Sequence, residues 1–192
     1  MFNKNYKGKQ IAVIYHVDDL VASCVFEEGL AKLYEVLIKK YEKVKVTRGE
    51  RRRYLGMIAD FQQPGVAVIR IPGFMLNLMK EYGVETFSTT PAGEILFDVK
   101  ESPPLSTPDA KRFHSFVAKL LYLSKRTRPD ILTLVTFLTT RVQSPTEDDR
   151  AKLHKSMGYL FGTIDLSLTL KVEGPIRVTE YVDASFATRR LP

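Results

Sequence analysis

The chain has 192 residues, of which 44% are hydrophobic and 27% are charged, and its formal net charge is +7. This composition is typical of a folded globular protein and excludes a disordered or collagen-like chain. Because Cys24 is the single cysteine and there are only three scattered histidines, an internal disulfide and a Cys/His zinc site are both excluded. Any bound metal must therefore be held by carboxylates.

The first 72 residues combine short strands with one amphipathic helix. Residues 10–15 and 20–24 are apolar, β-branched runs joined by His16-Val17-Asp18-Asp19, which predicts a hairpin with paired carboxylates at its connection. Apolar residues at helical spacing predict a helix over residues 26–41, with early glutamates and late lysines that suit the helix dipole. Residues 54–61 and 66–71 are predicted as the two strands of a second hairpin, joined by Gln62-Gln63-Pro64-Gly65 with its Pro-Gly turn. The predicted order is ββαββ.

The rest of the chain predicts mainly helices. A short helix over residues 74–82 precedes a stretch rich in Ser, Thr and Pro, residues 85–107, which is typical of a loop or an interdomain linker. The elements predicted after it are helices at 109–124, 130–143 and 146–161 and strands at 166–172 and 177–182. Each of these three helices starts next to a proline, and Ser144 with Glu147 predicts a capping box at the last one.

The paired acids of the first hairpin allow two interpretations. Adjacent carboxylates repel each other when left alone, and they bind a divalent cation such as Mg²⁺ when a third acidic group or a substrate phosphate completes the oxygen shell. Aspartate pairs are also common solvated turn residues. From Asp18 and Asp19 alone, the solvated turn is the better interpretation.

Five segments of the chain, taken in order, favour the metal site. They are Ile11-Ala-Val-Ile-Tyr-His-Val-Asp-Asp-Leu20, Tyr54-Leu-Gly-Met57, Phe113-His-Ser-Phe-Val-Ala-Lys-Leu-Leu-Tyr-Leu-Ser-Lys-Arg-Thr-Arg-Pro-Asp-Ile131, Tyr159-Leu-Phe-Gly-Thr163 and Tyr181-Val-Asp-Ala-Ser185. In this order they resemble the polyprotein of copia-type LTR retrotransposons, and the first two resemble the C-terminal half of a reverse-transcriptase palm. Thr127-Arg-Pro-Asp-Ile131 is the most specific stretch. The resemblance covers nearly the whole chain.

The resemblance implies an α+β fold and a division of the chain into three parts. Residues 1–72 would form the C-terminal part of the polymerase palm (ββαββ). Residues 73–165 would form a helical thumb, in which 85–107 is a loop or linker. Residues 166–192 would form the truncated start of an RNase H-like domain. The implied activity is that of an RNA-directed DNA polymerase with RNase H, which performs template-primed nucleotidyl transfer.

The resemblance also assigns metal-binding residues. Asp18 and Asp19 match two of the three catalytic aspartates, which in the family hold Mg²⁺ (or Mn²⁺) for a displacement that uses two ions about 3.5–4 Å apart. Asp183 matches the first metal-binding carboxylate of the RNase H domain. A single aspartate after an apolar strand is otherwise an ordinary strand end, so this alternative stays open.

Nucleic-acid contacts are implied at two further places. Tyr54, Leu55 and Gly56 resemble the hairpin that positions the primer end, and an ordinary hairpin with Gly56 at a bulge explains the same residues equally well. Arg126 and Arg128 are candidates for phosphate contacts from the thumb. For either arginine taken singly, a solvated helix junction is the better interpretation.

The chain also departs from the family pattern. His16 stands where the family has a tyrosine, which affects primer-end packing rather than metal binding. The fingers and the earlier catalytic aspartate are not in the sequence, and residues 188–192 break the RNase H pattern. We therefore expect this chain alone to be inactive as a polymerase. The alternative is a noncatalytic nucleic-acid-binding remnant of a decayed or domesticated element.

Charge and hydropathy indicate the expected partners. Residues 1–53 carry 12 Lys and Arg against 7 Asp and Glu, so most of the positive excess lies there. Either a polyanionic partner or a solvated lysine-rich helix face explains this excess. The resemblance implies an RNA/DNA template-primer, dNTPs and the rest of the Pol polyprotein as partners. Residues 131–138 form the longest nearly apolar run, which is too short for a bilayer span of about 20 residues. No secretory signal is recognisable, so the expected location is intracellular, in a cytoplasmic particle or the nucleus.

Overall fold

The computed structural model describes residues 2–174, which form an α+β fold with two antiparallel sheets. The strands are β1 (Phe2–Tyr6), β2 (Lys9–His16), β3 (Asp19–Cys24), β4 (Arg51–Tyr54), β5 (Met57–Asp60), β6 (Val66–Arg70) and β7 (Leu168–Lys171). The helices are α1 (Glu27–Tyr41), α2 (Pro72–Tyr82), α3 (Thr107–Ser124), α4 (Leu132–Thr139) and α5 (Glu147–Gly162), with a 3₁₀ turn at Pro129–Ile131. The arrangement as a reverse-transcriptase palm and thumb stays a prediction.

The first sheet has the order β1-β2-β3 and contains one strand more than the sequence predicted. β1 was missed because its residues are mostly polar, and the strand forms through pairing with β2 in a register that places Phe2 opposite Val13. The connection Lys7-Gly8 has φ values of 49° and 74°, which a two-residue hairpin turn needs to match the strand twist.

Helix α1 approaches this sheet most closely at Gly29. A Cβ atom there would lie 2.9 Å from the Cys24 Sγ and 3.3 Å from the Ile11 Cδ1, so glycine permits the contact. Among residues 2–41, Ile11, Val13 and Gly29 are buried. The apolar face of α1 that the sequence predicted is only half-buried, because the three-stranded sheet offers it little cover.

The second sheet has the order β4-β5-β6-β7 and divides a segment that the sequence treated as one strand. Residues 54–61 were predicted as continuous, but the chain turns at Leu55-Gly56, so that Tyr54 pairs with Met57. β7 pairs antiparallel with β6 and thereby joins residues 168–171 to this sheet. The sequence placed a boundary at residue 166 and did not predict the pairing of β7 with β6. The division into domains itself stays a prediction.

Helices α2 to α5 enclose the main hydrophobic core. The predicted helix over 130–143 is shorter, because the hydroxyls of Thr139 and Thr140 donate to the carbonyls of Thr136 and Phe137 and end α4 there. The buried apolar side chains of the core are Ile71, Met75, Leu78, Met79, Leu96, Phe113, Phe116, Val117, Leu120, Leu123, Ile131, Leu134, Val135, Phe137, Leu138, Leu153, Met157 and Leu160.

The capping box of α5 lies two residues later than the sequence predicted. Thr146 is the N-cap, and its side chain and backbone N–H both contact the Asp149 carboxylate. Asp149 is buried, and its charge is compensated because it also accepts from Arg141 Nε at 3.1 Å. The buried ion pair therefore decides in favour of Thr146 and Asp149 over Ser144 and Glu147.

Residues 85–107, predicted as a loop or linker, are mostly irregular and pack against α5. Leu96 of this segment belongs to the main core, and Lys152 Nζ donates to the Asp98 carbonyl at 2.5 Å. The Thr86 carbonyl lies 3.0 Å from where a Cβ of Gly158 would be, so this irregular segment packs directly against α5.

Candidate functional site

The paired acids occupy an exposed two-residue hairpin turn between β2 and β3. His16 pairs with Asp19 in the strand register, which leaves Val17 and Asp18 as the connection. Asp18 and Asp19 are both exposed, and neither forms a salt bridge within the described residues 2–174. Both carboxylates are therefore accessible to a ligand from solvent.

The backbone of this turn is strained at Val17. Its φ is 51°, a left-handed conformation that is costly for a β-branched residue, and the side chain is 84% exposed. No packing of the valine side chain compensates for this conformation, since most of its surface faces water. The turn thus holds Asp18 and Asp19 at a local cost in stability.

The part of the chain that the structure describes provides an incomplete metal shell. No group of three or more His, Cys, Asp or Glu residues in residues 2–174 is placed to hold a metal ion. Mg²⁺ prefers six oxygen ligands and keeps several waters, so two carboxylates supply a part of its shell. Asp18 and Asp19 fit a site that a substrate phosphate or a further carboxylate would have to complete.

The residues Tyr54, Leu55 and Gly56 form the tip of the β4-β5 hairpin. Leu55 and Gly56 have φ values of 49° and 76°, the pattern of a two-residue type I′ turn, so Gly56 lies in the turn and not at a bulge. Gly56 is exposed, whereas Tyr54 and Leu55 are half-buried. The predicted hairpin is confirmed as a structure, and its role at a primer end stays a prediction.

Helix α3 holds this hairpin tip through Tyr122, a residue that the sequence did not single out. The Tyr122 hydroxyl donates to the Leu55 carbonyl at 3.1 Å, and its ring lies 5.1 Å from the ring of Phe74. The Arg126 guanidinium lies 5.6 Å from the centre of the Tyr122 ring. The sequence shows a tyrosine on a predicted helix. It does not show that this tyrosine contacts a residue 67 positions earlier.

The two candidate arginines have different environments. Arg126 is exposed and lies beside the ring of Tyr122, the residue that contacts the hairpin tip. Arg128 is 1% exposed, which differs from the expectation of a solvated or phosphate-binding side chain. Its guanidinium donates to both carboxylate oxygens of Asp130 and to the carbonyl and hydroxyl of Thr163, so most of its donors are already used within the fold.

This ion pair joins the Thr-Arg-Pro-Asp-Ile segment to the end of α5. Tyr159 donates its hydroxyl to Asp130 Oδ2 at 2.8 Å and places its ring 5.3 Å from the Arg128 guanidinium. Burial alone would raise the pKa of Asp130, but the hydrogen bonds from Arg128 and Tyr159 outweigh it and lower the pKa below its usual value. The Arg128 guanidinium therefore stabilises the fold through these contacts.

The structure brings only some of the predicted residues together. The hairpin tip and Arg126 meet through Tyr122, while Asp18 and Asp19 belong to the other sheet. Asp183 lies outside the described residues. No helix of residues 2–174 is long and apolar enough to cross a membrane.

Comparison with known proteins finds a distant similarity to a retroelement polyprotein. The chain is 27% identical over 132 residues to the Retrovirus-related Pol polyprotein from transposon RE2 of Arabidopsis thaliana. The alignment covers 64% of this chain, and the chain spans 9% of the length of that relative. No protein-family model matches the chain, and no solved structure matches it. The similarity relates the chain to a retrotransposon Pol polyprotein and does not specify which of the polyprotein's activities it shares.

Proposed function

We propose that the chain forms the palm end and thumb of a copia-type retrotransposon reverse transcriptase, an RNA-directed DNA polymerase. The observation that carries this proposal is the exposed β2-β3 turn, which presents Asp18 and Asp19 side by side in a chain similar to a Pol polyprotein. Adjacent accessible carboxylates are what Mg²⁺-dependent nucleotidyl transfer requires. The start of an RNase H-like domain after residue 166, with Asp183 as a metal ligand, is part of the same proposal.

In this proposal Asp18 and Asp19 hold Mg²⁺ or Mn²⁺ together with substrate phosphates and a further carboxylate. The bound ions would activate the primer hydroxyl and stabilise the leaving pyrophosphate. The β4-β5 hairpin tip contacts the primer end, and its position is fixed by the hydrogen bond from Tyr122 to Leu55. Arg126, exposed beside the ring of Tyr122, contacts the phosphates of the template-primer.

A noncatalytic nucleic-acid-binding remnant is the second candidate. We call the β2-β3 turn with Asp18 and Asp19 the acid turn. This candidate is favoured because residues 2–174 place only these two carboxylates there. A remnant would retain the net charge of +7 and bind polyanions without a role for divalent ions. The two candidates therefore differ in whether Asp18 affects binding in the presence of a metal.

Binding of an RNA–DNA hybrid duplex, measured with and without Mn²⁺, tests both candidates. We expect sequence-independent binding that weakens steeply with salt, and we expect Mn²⁺ to tighten it in the wild type but not in Asp18→Asn. Equal Mn²⁺ responses would favour the remnant. No binding at low salt would contradict both candidates. Primer extension by this chain alone is not expected, and dNTP-dependent extension would contradict the two-carboxylate account of the turn.

A further inference from the structure

A cleft of about 460 Å³ lies between the second sheet and the segments that flank α2 and α5. Its apolar lining includes Ile58, Val68 and Met75, and its polar lining is dominated by arginines. The volume lies within the range of about 300–1,000 Å³ that is usual for ligand sites. The cleft does not include Asp18, Asp19 or the hairpin tip.

The strand register collects three of these arginines on one face of the sheet. Arg53 and Arg70 are both paired with Ile58, from its two neighbouring strands, and Arg51 lies two residues before Arg53 on β4. Directly paired residues of neighbouring strands share a face, as do residues two apart on one strand. Arg51, Arg53 and Arg70 therefore project from the same side of the sheet, and all three line the cleft.

Asp60 and Asp165 are the two carboxylates that line the cleft beside five arginines, so they leave an excess of positive charge. Arg51 Nε donates to Asp60 Oδ2 at 2.7 Å, and the Gln62 backbone N–H, this guanidinium and the nearby charge of Arg70 lower the pKa of Asp60, which keeps it ionised. Arg53 and Arg70 are exposed, and neither forms a salt bridge to any carboxylate of the described residues 2–174. Two cations therefore face one cleft without ion-pair partners, which favours the binding of an anion.

We propose that this cleft binds the phosphodiester backbone of a nucleic acid through Arg53 and Arg70. Guanidinium groups bind phosphate oxygens in a bidentate manner, and phosphates of one strand recur at a spacing that neighbouring arginines can share. Arg53 directly precedes the hairpin tip at Tyr54, so a strand at the tip can continue along β4 into the cleft. The inference rests on the proposed function for its ligand class, but it requires no catalysis.

Fluorescence anisotropy with a labelled single-stranded DNA and with an RNA–DNA hybrid tests the proposal. The double variant Arg53→Gln/Arg70→Gln should bind both probes about tenfold or more weakly at low salt, and its plot of log affinity against log salt should lose a slope of about 2. The matched control is Arg48→Gln/Arg150→Gln, which removes the same charge from exposed positions outside the cleft. The control should weaken binding less than about threefold.

The outcomes separate this proposal from the proposed function. If the wild type binds neither probe, the proposed function fails as well. If the wild type binds and both double variants bind equally, the cleft assignment alone is contradicted. Displacement of the DNA by an equal phosphate concentration of inorganic pyrophosphate would contradict a polynucleotide as the ligand.

A charge-preserving variant keeps the test valid should the glutamines disturb the sheet. Arg53→Lys/Arg70→Lys retains both charges but removes the bidentate geometry. We expect its affinity to fall by about threefold to fivefold with the salt slope unchanged. Unchanged affinity in this folded variant would contradict specific phosphate contacts by the two guanidinium groups.

Discussion

The helical part of the molecule and its N-terminal sheet differ in how they bury apolar surface. Helices α2 to α5 share one extensive core, whereas in residues 2–41 the buried apolar side chains are Ile11 and Val13. Large apolar side chains in residues 2–41 remain at least 40% exposed: Phe2, Ile14, Tyr15, Val17, Leu20, Val25, Phe26, Val36 and Tyr41. Because burial is the main source of folding free energy, stability is concentrated in the helical part.

The hairpin tip and the acid turn lie in parts of the molecule that differ in burial. The hairpin tip at Leu55 is tied to the well-packed helix α3 by Tyr122. The acid turn belongs to the poorly buried sheet and includes a strained residue, Val17. We therefore expect the hairpin tip, proposed to contact nucleic acid, to be rigid, and the turn at Asp18 and Asp19, proposed to bind metal, to depend more on its ligands for order.

The largest effect is expected at the ion pair that the buried Arg128 forms with Asp130, whose side chain is 29% exposed. Asp130→Ala leaves the Arg128 guanidinium buried without its carboxylate, which should destabilise the protein by about 3–5 kcal/mol. Chemical denaturation measures this loss. The control Glu35→Gln removes an exposed partner of Lys32 and should cost less than about 0.5 kcal/mol. Equal costs for the two variants would contradict a dominant role for this ion pair.

The same pair predicts a pH dependence of stability. The pKa of Asp130 is lower in the folded state than in the unfolded state, where it is about 3.9. Its contribution is therefore fully present above that unfolded value and is lost as the pH falls through the lowered folded pKa. The stability difference between wild type and Asp130→Ala should be constant near neutral pH and shrink below about pH 4. A difference that grows on acidification would contradict the lowered pKa.

Truncation of one buried residue in each part compares the two cores directly. Leu120→Ala should cost about 3 kcal/mol because the tightly packed site cannot collapse, and Ile11→Ala should cost about 2 kcal/mol or less. Native-state hydrogen exchange resolves where each loss occurs. Ile11→Ala should reduce protection in β1 to β3 and leave α3 and α5 unchanged. Equal loss of protection throughout the chain would show that the two parts unfold as one.

The contact of the 85–107 segment with α5 predicts a smaller loss. Gly158→Ala introduces a methyl group 3.0 Å from the Thr86 carbonyl, and the clash should outweigh the gain in helix propensity by about 1 kcal/mol. The control Gly73→Ala, with nothing within 4 Å, should raise stability by up to about 1 kcal/mol. Thermal denaturation measures both signs. Stabilisation by Gly158→Ala would contradict close packing of the segment.

The smallest expected effect is a gain at the acid turn. Val17→Gly relieves the left-handed strain at the cost of backbone entropy, so stability should rise by about 0.5–1 kcal/mol. Val25→Gly, at an exposed valine without a positive φ, should instead lower stability by a similar amount. If both variants lose stability equally, the strain at Val17 is not real.

Patterns of neighbouring residues predicted the helices and the first hairpin connection, which depend mainly on residues close in sequence. Helices α1, α2, α3 and α5 match the apolar periodicity to within about two residues, and the paired acids lie at the predicted hairpin connection. β1 was missed because its polar residues form a strand only against β2. The local apolar pattern did not predict the turn at Leu55-Gly56, because it gave residues 54–61 as one strand, and only the family resemblance indicated a hairpin there.

The candidate site was predictable only where it depends on neighbouring residues. The carboxylates of Asp18 and Asp19 are adjacent in sequence, so their proximity needs no tertiary information. The burial of Arg128 depends on Thr163 and Tyr159, and the support of the hairpin tip depends on Tyr122. The shared face of Arg53 and Arg70 depends on the strand register. Contacts of this kind arise from the fold and leave no local sequence pattern.

Mn²⁺ binding to the acid turn tests the central claim most directly. Titration of the hybrid-bound chain with Mn²⁺, followed by the electron paramagnetic resonance signal of the free ion, compares wild type, Asp18→Asn and the control Asp98→Asn. Asp98 is an exposed acid on the segment before α3, far from the turn in sequence. The account predicts that Mn²⁺ binds to the wild type and to Asp98→Asn and binds about tenfold or more weakly to Asp18→Asn. Equal binding to all three proteins would contradict a metal site at Asp18 and Asp19.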